Sequence, residues 1–269
     1  MRMLPDFNEP PVIETVLGLQ FDSLESFSIP HFGLYWFKIL ADYPKFNVQP
    51  PLTHVVEQFG EETRKPYSIE MGLAPFPELR CWFVNDTENR LIQIQKDRFI
   101  YNWRKIKETE EYPHYDYLKP KFIEEWNRFC QFLEEVKLGN VNINQCEITY
   151  VNHIDIGKGW KSYGDLNKVF SCWSGDPSVN FLPEPEMVSL NTRYVMPEKR
   201  GRLYIIMQPG IRRHDAKEIL QLQLIARGKP ASSSIEDIME WFDLGHEWIV
   251  KGFTDFTTEN MHEIWGRKI

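Results

Sequence analysis

Residues 91–103, LIQIQKDRFIYNW, constrain the fold more than any other stretch. Apolar and polar residues alternate on both sides of Lys96 and Asp97, the period of a strand whose two faces meet different surroundings. Two such runs joined by a tight turn predict an antiparallel hairpin. Ile92, Ile94, Phe99, Tyr101 and Trp103 share one face, while Gln93, Gln95, Arg98, Asn102 and Arg104 share the other. A sheet with one apolar face needs a second layer to cover it. The chain must supply that layer.

It does so with apolar stripes at helical spacing. Behind Pro30 come Phe32, Tyr35, Trp36, Ile39, Leu40 and Tyr43, and Pro44 ends the run. From Pro120 to about Leu138 the stripe is Phe122, Trp126, Phe129, Cys130, Leu133 and Val136, with Gly139 as the stop. SSSIEDIMEWFDLGHEWIV (232–250) opens a third helix, with Ser233 and Glu236 as a capping-box pair. Shorter helices are expected at 163–173 and 255–269. The remaining strands are expected at 12–21, 52–59, 79–84, 146–156, 188–196, 202–208 and 218–226, with EETRKP (61–66) as a loop.

The order is strand, helix, several antiparallel strands, long helix, and then the same again. It predicts an α+β protein of two pseudo-repeated halves, 1–140 and 141–269, each an antiparallel sheet backed by helices. TATA-box-binding-protein-like and helix-grip-like architectures have this form. A length of 269 residues with 26% charged and 14% aromatic residues fits a packed core and excludes disorder. The formal charge of −8 argues against wholesale phosphate binding.

The N-terminal MRMLPDFNEPP lacks a signal-peptide core, and no apolar run approaches the roughly 20 residues that span a bilayer. Cys81, Cys130, Cys146 and Cys172 are scattered, as free thiols in a reducing compartment would be. A cytoplasmic protein without a membrane partner is expected.

Three blocks together, the opening PPVIETVLGLQF, the hairpin LIQIQKDRFIYNW and the closing HEWIVKGFTDFT…IWG, resemble a sporadically distributed conserved-hypothetical family of bacteria and archaea. The resemblance extends over nearly the whole chain. It brings no established activity, cofactor or catalytic residue. The family's patchy distribution is that of mobile accessory genes, including defence modules.

The polar sheet face supplies the first candidate site. Glu14, Gln20, Gln93, Gln95, Asn102, Arg104, Glu147, His153, Asp155, Gln221 and Gln223 would line it. It is either the solvated side of an antiparallel sheet, with Glu14 paired to Arg104, or a groove that recognises a peptide or ligand. His153 and Asp155, two apart on a strand with Glu147 on the same face, have the start of a metal-ligand spacing and give a metal-dependent hydrolase as one alternative. His246 falls on the apolar stripe of the 235–253 helix, as a core histidine with one hydrogen-bond partner or, in the alternative, a general base beneath the sheet; His262 is expected to face outward.

A basic stretch is the last candidate. Arg193, Lys199, Arg200, Arg202, Arg212, Arg213 and Lys217 face only two acidic residues, with Tyr194 and Tyr204 available for stacking, which gives a nucleic-acid or nucleotide binder as the other alternative. No phosphate loop, GxGxxG, HExxH or GxSxG is present. No cofactor is expected. The leading expectation is a non-enzymatic interaction protein whose partner is another protein.

Overall fold

The computed structural model describes residues 4–59, 79–174 and 181–268. The 61–66 loop and part of the 157–186 connection lie outside them. Nine antiparallel strands form one continuous sheet: β1 (Val12–Phe21), β2 (Lys45–Gln49), β3 (Arg80–Val84), β4 (Arg90–Gln95), β5 (Arg98–Arg104), β6 (Ile143–Asp155), β7 (Leu190–Val195), β8 (Arg202–Ile211) and β9 (Glu218–Gly228). Their order is β2-β3-β4-β5-β1-β6-β9-β8-β7. The expected two separate sheets are therefore merged. β1 pairs along its length with β6, from Val12 opposite Asn152 to Phe21 opposite Ile143. Each of these strands satisfies the backbone groups that the other would leave as an open edge.

Helices α1 (Ile29–Ile39), α2 (Tyr115–Glu135), α3 (Leu166–Val169), α4 (Ile235–Phe256) and α5 (Glu259–Ile264) complete the fold. The alternation in β1 and in the hairpin sets the layering. Leu17, Leu19, Phe21, Ile92, Ile94, Phe99 and Tyr101 are buried in one hydrophobic core with Tyr35 of α1, Phe122 and Phe129 of α2, and Trp241 and Phe242 of α4. That core is continuous across residue 140.

α2 begins five residues before Pro120. A proline in the second turn forfeits one helical hydrogen bond. Packing outweighs it here: Leu118 is fully buried, and Tyr115 donates to Asp243 Oδ1 at 2.9 Å. The cap of α4 is Ser234, whose Oγ accepts from the Asp237 amide at 3.2 Å. Ser233 is engaged elsewhere, accepting from the Ile143 amide at 2.8 Å and fastening the helix start to β6. His262 is buried, not outward, with Thr257 Oγ1 at 2.9 Å. Among the described residues no helix is long and apolar enough to cross a membrane.

Residues 52–59 overturn an expectation. They are extended but belong to no strand. They run across the strands on the face away from the helices, so neighbouring backbone cannot meet theirs. Side chains meet it instead.

Candidate binding face

Three glutamines hold this strap. Gln95, at the end of β4, receives the Leu52 amide at 2.9 Å and donates to the Leu52 carbonyl at 3.1 Å. Gln20, at the end of β1, does the same for Val55, at 3.2 and 3.0 Å. Gln145, at the start of β6, receives the Glu57 amide at 2.9 Å and donates to the Val55 carbonyl at 2.6 Å. A primary amide carries one acceptor and one donor group side by side, so it can pair with a peptide unit as a neighbouring strand would. Arg98 adds a bond to the Thr53 carbonyl at 2.8 Å.

The strap ends on β8. Arg202 pairs with the Glu57 carboxylate and donates to the Gln58 carbonyl at 2.6 Å, while Tyr204 donates to Glu57 at 2.6 Å. The guanidinium also lies 4.1 Å from the centre of the Phe59 ring. From β4 to β8 the sheet order crosses five gaps of about 4.8 Å, about 24 Å in all, which seven extended residues can span. Of the strap's side chains, Glu57 and His54 are held by polar contacts; His54 Nδ1 lies 3.0 Å from Asp97 Oδ2. Apart from these and the Phe59 ring, the glutamine and arginine contacts are to the strap's backbone.

Beside the strap lies a buried polar chain that explains Glu14. Trp82 and Arg80 donate to Gln93 Oε1 at 2.8 and 2.7 Å, Gln93 donates to Asn102 at 2.8 Å, and Asn102 donates to Glu14 at 2.7 Å. Each amide passes on the bond it receives. Burial pushes the Glu14 carboxyl above the usual range, while the Asn102 bond and the Arg104 charge pull it back. Arg104 lies opposite Glu14 in the ladder but directs its guanidinium to the Glu88 carbonyl at 3.0 Å and to the Trp82 ring. This part of the face is thus closed: Gln20, Gln93, Gln95, Asn102 and Gln145 are all buried. An open groove is not what these residues form.

The remaining candidates are placed as follows. Glu147 pairs with Arg227, and Asp155 with Arg212 at 2.8 Å, so both carboxylates already face guanidiniums. His153 stands between them with Nδ1 buried and unpartnered, opposite Gln221 in the ladder. Glu147 and His153 are six residues apart on one strand, about 20 Å, too far to share an ion. Gln221 and Gln223 are half-buried on β9.

The basic stretch does not form one patch. Arg202 is buried in the strap contact, Arg212 is held by Asp155 and Asp215, and Arg200 pairs with Glu240 at 3.1 Å. Arg193, Lys199 and Arg213 are exposed. Lys199 and Arg213 sit beyond opposite ends of the ten-residue β8, about 30 Å apart.

His246 has the expected hydrogen-bond partner, Tyr150 Oη at 3.0 Å, and stacks on Tyr115 with ring centres 4.1 Å apart. Burial pushes its pKa down to about 4, against the pull of Asp116 and Asp243.

The sequence reading missed the strap, Gln145 and Glu57. Gln145 lies directly opposite Gln20 in the β1–β6 ladder, a juxtaposition visible only once those two strands are paired. Compared with protein-family models, curated proteins and solved structures, the chain gives no match in any of the three.

Proposed function

We propose that this is a non-enzymatic interaction protein whose polar sheet face binds an extended polypeptide segment, with residues 52–58 as its resident occupant and a segment of another protein as its exchange partner. One observation carries the proposal: six hydrogen bonds from three glutamine amides to the backbone of Leu52, Val55 and Glu57. Backbone recognition is indifferent to most side chains, so a foreign segment with an acidic residue for Arg202 and Tyr204 meets the same bonds.

Magnitudes favour exchange. Six such bonds contribute about 1 kcal/mol each. Ordering seven residues costs about 1–2 kcal/mol per residue. The Arg202, Tyr204 and Arg98 contacts add to the glutamine bonds, so the strap is docked by a small net of opposing terms, a few kcal/mol at most, within reach of a competing segment. We further read the two halves as pseudo-repeats in a TATA-box-binding-protein-like arrangement. β1 and β6 lie at the centre, flanked by β5 and β9, and the longest helices, α2 and α4, follow those flanking strands. A mobile accessory or defence-type gene module is the setting in which the partner would be sought.

The test uses full-length protein with residues 51–59 replaced by a Gly–Ser segment of equal length. Titrated with the peptide PLTHVVEQF, it is expected to bind with a Kd of about 10–100 μM. Adding Gln20→Ala and Gln145→Ala should abolish the binding, while a peptide shuffled everywhere except at its proline, glutamate and phenylalanine should bind within about threefold. No binding by the strap-replaced protein, or undiminished binding by the glutamine variant, would refute the proposal.

A further inference from the structure

On the helix side of the sheet, away from the strap, lies a cavity of about 800 Å³. That is within the range of sites for small organic molecules. Tyr150 and Leu224 of the sheet form its floor, His246 and Phe253 of α4 and Tyr115 of α2 its walls, and Phe7 its roof. The roof is fastened down: the Asn8 amide donates to the Gly266 carbonyl at 3.0 Å, and the Lys268 amide to the Asp6 carbonyl at 2.8 Å.

Polar groups inside are arranged in sequence. Tyr112 Oη donates to Tyr150 Oη at 2.8 Å, leaving the Tyr150 proton to donate to His246 Nδ1. The ring's own proton then sits on Nε2. Burial keeps this imidazole uncharged near neutral pH, with its pKa at about 4.

The rim is acidic, and most of it is neutralised. Asp6 pairs with Lys268 at 2.6 Å, Asp243 with Lys119 at 2.7 Å, and Glu247 with Lys251. Asp116 has no ion-pair partner among the described residues. It lies two residues after His114, a non-glycine residue held at φ 62° and ψ 160°. Such a conformation costs about 1–3 kcal/mol and persists where surrounding structure enforces it. Tyr112 and Asp116, two residues to either side of His114, both line the cavity.

We propose that this cavity binds a small organic amine, its apolar body against Phe7 and Phe253 and its ammonium group against Asp116. The unpaired Asp116 carboxylate attracts the ammonium group, and the uncharged imidazole adds no opposing charge. The site is separate from the strap face and does not depend on the function proposed for that face.

Three probes with the same body and different charge test this by titration calorimetry near neutral pH: 2-phenylethylamine, 2-phenylethanol and phenylacetate. The amine should bind at least about fivefold more tightly than the alcohol, and phenylacetate more weakly still. Asp116→Asn, at an exposed position, should reduce the amine to the affinity of the alcohol. Val250→Trp, filling the cavity from α4, should abolish binding of all three probes. The proposal is overturned if the amine gives no saturable heat up to about 10 mM. Equal or tighter binding of phenylacetate, an unchanged amine preference in Asp116→Asn, or undiminished binding in Val250→Trp would overturn it as well.

Discussion

Arg202→Ala is expected to free residues 52–58 from the sheet. One guanidinium makes three of the contacts at that end: the pair with Glu57, the bond to the Gln58 carbonyl at 2.6 Å, and the packing on Phe59 at 4.1 Å. Breaking a buried pair by removing one partner costs about 3–5 kcal/mol when the other charge stays buried. Glu57 need not stay buried, because its segment lies on the surface of the sheet and can swing into water. The loss in global stability should therefore be smaller, about 1–3 kcal/mol, with most of the effect local. Cleavage after Glu57 by a glutamate-specific protease should accelerate at least about tenfold under native conditions. An Arg202→Ala protein cut no faster than wild type would show that the ion pair does not hold the strap.

The largest effect on stability is expected from Phe129→Ala. Its ring is fully buried in α2, with ring centres 5.4 Å from Tyr35 of α1, 5.3 Å from Phe99 of β5 and 6.3 Å from Phe21 of β1. It joins both N-terminal-half helices to the middle of the sheet. Truncating a buried phenylalanine removes transfer free energy and leaves a cavity that a layer fastened to the sheet cannot fully close, together about 3–5 kcal/mol. For a chain of this size that corresponds to a fall in Tm of about 6–20 °C. Urea denaturation and calorimetry measure both. A loss below about 1 kcal/mol would mean that α2 is not anchored as described.

Much of this fold is legible from local periodicity. β1 runs from Val12 to Phe21 as its alternation predicts, and the 91–103 hairpin turns at Lys96 and Asp97 with Ile92, Ile94, Phe99 and Tyr101 on the core side. Local pattern reports which face of an element is buried. It does not report which remote element lies beside it. The pairing of β1 with β6 joins residues more than 120 positions apart, and nothing in either strand names its neighbour.

The candidate site was legible in its residues but not in its state. Glu14, Gln93, Gln95 and Asn102 do share the polar face, yet they are knitted together or covered, because an extended segment lies over the sheet. LTHVVEQF has the composition of a strand, which is why it reads as one. Its backbone bonds go to glutamines on three different strands, a pattern without a sequence period. The basic stretch misled in a related way. Hairpin turns place neighbours in sequence at opposite ends of β8, and the arginines nearest the sheet, Arg202 and Arg212, already face carboxylates.

Everything proposed for the sheet face depends on glutamine side chains standing in for a neighbouring strand's backbone. Residue-resolved amide hydrogen exchange of the wild-type protein tests this most directly. Leu52, Val55 and Glu57, whose N–H groups donate to Gln95, Gln20 and Gln145, should exchange at least about tenfold more slowly than Thr53, His54 and Val56. Uniformly fast exchange from Leu52 to Gln58, or slow exchange at Val55 and Glu57 that survives Gln20→Ala with Gln145→Ala, would contradict the account.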